Sequence, residues 1–115
     1  MDILKGEIMK VKVNGYTFNV ELVKGDIEKM NPDKDHYNLG LTEYVEGVIS
    51  IRDDLNEKTM RSTVIHELVH VFMFAYGYEV DCEESMCNFF GSQGDRIIDL
   101  TNKIMKGVKG NAVRS

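Results

Sequence analysis

Two of the chain's three histidines stand four residues apart, in His66-Glu67-Leu68-Val69-His70. On a helix, residues i and i+4 fall one turn apart on the same face, so both imidazoles can reach one metal ion at about 2.0–2.1 Å. Glu67 points about 100° around the helix from His66. It is placed to act on a water in an open coordination position rather than to bind metal itself. This is a residue set for hydrolysis by metal-activated water. Val64, Ile65, Leu68, Val69 and Phe72 surround the triplet. A buried His-Glu-His cluster among them would cost several kcal/mol if nothing compensated it, and a metal ion compensates it. The plain alternative is two ordinary histidines on a helix surface beside a solvated carboxylate.

A catalytic zinc takes three protein ligands and keeps a fourth position open. Carboxylates after the motif are Glu79, Asp81, Glu83, Glu84, Asp95 and Asp99, while the third histidine, His36, lies well before it. Glu83 and Glu84 both fall at the start of a second helical stretch, and Glu83 shares a helical stripe with Met86, Cys87 and Phe90. Tyr76, Tyr78 or His36 could polarise a scissile carbonyl, although aromatic residues beside a helix end more often pack. The seven methionines, with Phe72, Phe74, Phe89 and Phe90, read as core filling.

These residues need elements to position them. Met9–Val23 holds two runs of β-branched and aromatic residues separated by Asn14-Gly15, the pattern of a β-hairpin. Val11 and Val13 on one arm and Phe18, Val20 and Leu22 on the other alternate, so one face should be covered. Residues 24–41 contain Gly25, Asn31, Pro32 and Gly40 amid charges, the composition of a long loop with at most one helical turn. Two short strands are expected between Leu41 and Ile51, around Gly47. Asn56 or Asp54 can cap a helix from Glu57, whose apolar residues recur at three and four spacing until Gly77 ends it. Asp81 can cap a second helix, interrupted at Gly91 and Gly94 and fraying from about residue 107. Strands followed by helices give an α+β domain.

The 115 residues, 43% of them hydrophobic, suit one domain spanning 1–115. A net charge of -5 and scattered Lys and Arg argue against a nucleic-acid surface. Cys82 and Cys87 give no disulfide framework. Neither a leader-like apolar stretch nor a run of about 18 apolar residues is present, so a cytoplasmic protein without a membrane segment is expected.

The motif followed by Glu84-Ser85-Met86-Cys87-Asn88-Phe89-Phe90-Gly91 resembles the gluzincins, whose second helix carries Glu, a small residue three on, and Asp or Asn four on. The resemblance implies Glu84 as the third zinc ligand, Cys87 as the small residue that lets two helices approach, and Asn88 as the group that orients a ligand imidazole. The segment is similar to the ImmA/IrrE-like metallopeptidases in particular, with Cys87 and Gly91 standing where alanines are usual. Arg61 to Leu68, after a strand ending near Ile51, also resembles small phage-borne SprT-like peptidases. The likeness covers Val48 to about Gly91, and Glu83 stays an alternative to Glu84.

The resemblance implies a zincin-like fold, with a small antiparallel or mixed sheet packed against an active-site helix and a second, C-terminal helix. It implies one Zn²⁺ per chain and hydrolysis of peptide bonds with Glu67 as general base. The substrate would be a protein or peptide, received as an added β-strand along residues 47–51. The reading from a different class is a non-catalytic zinc-binding regulatory or interaction domain of a phage or mobile element. A plain acidic interaction domain is a third.

Overall fold

Asn14 and Gly15 take positive φ values of 48° and 87°, as the central pair of a type I′ turn requires. They join β1 (Glu7–Val13) to β2 (Tyr16–Val23) in an antiparallel hairpin. The computed structural model describes residues 6–33 and 37–114, apart from the side chains at 111–114. The long connection after β2 carries a 3-10 turn, Glu28–Met30, whose Met30 side chain is wholly buried. Lys29 in that turn bridges Glu21 of β2 and Glu43, at 3.1 Å each.

The two short strands expected before the motif are present, as β3 (Gly40–Glu43) and β4 (Val48–Arg52). The turn between them places Gly47 at φ 69°. A Cβ there would lie 2.9 Å from the Thr17 carbonyl oxygen, so glycine is needed both for the angle and for the approach to β2. The sheet order is β1-β2-β4-β3. It is mixed, because β4 runs parallel to β2 and antiparallel to β3. This corrects the expectation that residues 47–51 form a receiving edge. Both sides of β4 are already paired, and β3 is the outer strand on that side of the sheet.

Helix α1 spans Glu57–Tyr76. The Asn56 side chain accepts from the Thr59 N–H at 2.8 Å, which caps its first turn. Gly77 at φ 71° closes the other end in the left-handed conformation. The side-chain amide of Asn14 donates to the Ala75 carbonyl at 2.8 Å, tying the hairpin turn to a helix end that has carbonyls to spare.

Helix α2 runs unbroken over Glu83–Arg114, and three expectations fail there. Cys82 rather than Asp81 holds the cap position, since its carbonyl accepts the first helical bond from Met86, and Ser85 Oγ accepts from the Cys82 N–H. Gly91 and Gly94 face open space and do not interrupt the helix. The segment from 107 continues it, because Gly107 lies so close to Ile8 that a Cβ would collide, and Val108 packs on the core.

One sheet face, with Val11, Val13, Phe18, Val20, Ile49 and Ile51, meets the buried stripes of both helices. Among the described residues the fold is thus an α+β arrangement of a four-stranded mixed sheet and two long helices. No helix among the described residues is long and apolar enough to cross a membrane.

Candidate active site

The buried residues of α1 are Met60, Thr63, Val64, Glu67, Leu68, Val71, Phe72 and Ala75. Glu67 is the one charged member of that stripe, 5% exposed. His66 and His70 lie to one side of it and are both exposed. The triplet is therefore not buried as a whole, as the apolar flanks suggested. The helix phase sinks the carboxylate and leaves the imidazoles at the surface.

Burying a carboxylate requires a donor, and β3 provides it. Thr42 Oγ1 donates to Glu67 Oε1 at 2.7 Å. The other oxygen, Oε2, stands 3.9 Å from His66 Nε2. Gly40, on the same face of β3 as Thr42, lets strand and helix approach. A Cβ there would come within 2.7 Å of Thr63 Cγ2 and 3.0 Å of Glu67 Cγ. Tyr44 opens the turn after β3, and its ring packs against Phe74 of α1 at 4.7 Å between centroids. Burial first, and then the charge of Glu67, raise the Tyr44 phenol above its ordinary range.

His66 Nε2 and His70 Nε2 are 3.3 Å apart. Two nitrogens bound to one tetrahedral zinc at about 2.0–2.1 Å are separated by about 3.4 Å, so the pair has the spacing of two ligands of one ion. The same distance also suits a hydrogen bond between the rings when one nitrogen carries a proton. Among the described residues no three His, Cys, Asp or Glu side chains lie together as a metal-binding group.

Glu83 and Glu84 are exposed on the first turn of α2, and Cys87 and Asn88 are exposed one turn on. The stripe that α2 turns inward runs instead through Phe89, Gln93 and Ile97, which places Glu84 and Asn88 to one side of it. Close approach of the helices is accordingly not made at Cys87.

Of the groups considered for polarising a carbonyl, Tyr76 is engaged by Arg96, which bonds its hydroxyl and lies over its ring. Tyr78 packs edge-on against Phe89 at 4.9 Å. Gln93 and then Ser92 hydrogen-bond to its hydroxyl and lower its pKa. Both tyrosines face α2 partners. His36 lies outside the described residues. The sequence reading missed Gly40, Thr42 and Tyr44. Their signal was the alternation of small and hydroxyl-bearing residues on a short strand, meaningful only once that strand is known to border α1.

A search of curated proteins and of solved structures found no match. The family model Peptidase_M78, described as the IrrE N-terminal-like domain, matches residues 17–96. That range takes in β2 from its second residue, β3, β4, all of α1 with Glu67, and the start of α2. It agrees with the ImmA/IrrE-like resemblance and covers well over half of the sequence, so the chain belongs to the IrrE N-terminal-like family of peptidases.

Proposed function

We infer that the chain is a zinc-dependent metallopeptidase of the gluzincin type. The observation that carries this reading is a buried carboxylate, fixed by Thr42 through Oε1, beside two exposed imidazoles at ligand spacing. His66 and His70 would hold the ion, with Glu84 as third ligand on the strength of the resemblance and Glu83 as its alternative. A zinc ion there supplies Lewis acidity, which lowers the pKa of water toward about 7 and draws charge from a carbonyl.

The chain's own residues do the rest. Glu67 Oε1 is occupied by Thr42, so Oε2, on the His66 side, takes the proton from water and returns it to the leaving amine. Burial keeps bulk water from competing for that proton. The outer strand β3 receives the substrate as an added strand, with Glu67 directly behind it. Main-chain pairing of this kind serves a protein or peptide substrate.

The exposed position of Glu84 favours a second reading, a zinc-binding regulatory or interaction domain without hydrolysis. One experiment separates the two. Purified wild type and Glu67→Gln should each hold about one zinc per chain by metal analysis. New protein N-termini in cells expressing wild type should be missing in cells expressing Glu67→Gln. Zinc in both with identical N-termini would establish the second reading. No zinc in either would overturn both.

A further inference from the structure

Three aromatic rings from three different elements lie together on the surface, with Tyr16 47%, Tyr44 39% and Phe74 42% exposed. The Phe74 ring lies edge-on to Tyr16 at 5.0 Å and tilted against Tyr44 at 4.7 Å. Their backbones are held in place. Asn14, two residues before Tyr16, is bonded to the carbonyl of Ala75, next to Phe74. Thr42, two residues before Tyr44, is bonded to Glu67. The rings form a preorganised wall, and such exposed apolar surface marks a place where something binds.

Its position says what. Phe74 continues the helical stripe of His66 and His70 at i+4 spacing, one turn or about 5–6 Å beyond His70. Tyr44, the first residue of the turn that follows β3, stands two residues beyond Thr42, and two residues of extended chain span about 6.6–6.8 Å. A peptide paired with β3 presents alternate side chains to one face at that same repeat. With its reacting carbonyl level with Thr42 and Glu67, the side chain two residues along falls on the wall. Glu43 is engaged by Lys29, but the exposed Glu46, two residues beyond Tyr44, disfavours acidic neighbours in the peptide.

We propose that Tyr16, Tyr44 and Phe74 form a subsite for a bulky apolar side chain of the substrate, two residues from the scissile bond and flanked by neutral or basic residues. This rests on β3 being the docking edge.

The test uses zinc-loaded Glu67→Gln protein and NMR titration with capped pentapeptides Ala-Ala-X-Ala-Ala, where X is Phe, Leu or Ala. The Phe and Leu peptides should shift the amides of residues 40–44 and the three rings, and bind about tenfold more tightly than the Ala peptide. Adding Phe74→Ala, an exposed helix position where alanine is well tolerated, should abolish that preference and leave the Ala peptide unaffected. Because the base is already removed, the result does not depend on cleavage. Wild type that cleaves nothing would sink the hydrolytic reading alone. Equal affinity for Phe and Ala peptides would overturn the subsite, as would a preference that survives both Phe74→Ala and Tyr16→Ala. Ring signals that move with protein concentration alone would also overturn it, making the wall a contact between two copies of the chain.

Discussion

Replacing Thr42 with Val probes the link between the sheet edge and Glu67 at its narrowest point. Valine keeps the shape and the β-branched preference for a strand, so the change removes one hydroxyl and little else. That hydroxyl donates to Glu67 Oε1 at 2.7 Å. The side chain behind it is almost entirely buried, and little water is on hand to replace the bond. Leaving a buried acceptor without its donor costs about 1–3 kcal/mol. At about 4 °C per kcal/mol for a domain of this size, Tm should fall by roughly 4–12 °C. Thr42→Ser restores the donor and should recover most of the loss. In a Glu67→Gln background the neutral amide accepts a bond about half as strong, so Thr42→Val should cost correspondingly less there. Thermal unfolding of the four variants and wild type, followed by circular dichroism, closes the cycle. The reasoning fails if Thr42→Val melts with wild type, or if its cost is the same whether residue 67 is Glu or Gln.

Gly40→Ala inserts a methyl group that meets Thr63 and Glu67. It should push β3 from α1 at a cost of about 1–3 kcal/mol, and denaturant unfolding with wild-type stability would show that the contact yields freely. Lys29→Met removes the bridge between Glu21 and Glu43, and the effect should depend on pH. Burial alone lowers the Lys29 pKa, but the hydrogen bonds and charges of Glu21 and Glu43 outweigh it and hold the folded value above the ordinary 10.5. A raised folded-state pKa gives stability that is fully present below the unfolded value and lost as pH rises through the folded one. The Tm gap between wild type and Lys29→Met should therefore stay open through neutral and mildly alkaline pH and close above 10.5. A gap that persists there would contradict the assignment.

What the sequence disclosed was whatever depends on neighbours along the chain. The Asn14-Gly15 turn, the caps at Asn56 and Gly77, and the shared face of His66 and His70 are local geometry, and each is present. What it withheld depends on partners chosen at a distance. Strand β4 was taken for an edge because it precedes the helix. It lies inside because it pairs parallel with β2 across a connection of more than twenty residues, a choice no local pattern records. Thr42 was invisible for the same reason, since its role exists only when β3 is laid along α1. Burial of the triplet was misjudged because apolar flanks say that a helix is buried, not how far it is rotated. Whether Glu83 or Glu84 stands near the histidines hangs on the angle between α1 and the first turn of α2, which neither helix encodes alone.

The bond from Asn14 to the Ala75 carbonyl has a consequence for the order in which the chain becomes rigid. A two-residue hairpin closes in microseconds from local contacts alone, whereas the last turn of a helix frays unless its carbonyls find donors. Here the donor arrives on the hairpin. The end of α1 and the tip of the β1-β2 ribbon should therefore open and close as one cooperative unit. Phe74 and Tyr16, on opposite sides of that bond, would then gain and lose their mutual alignment together, whatever the state of the histidines one turn away.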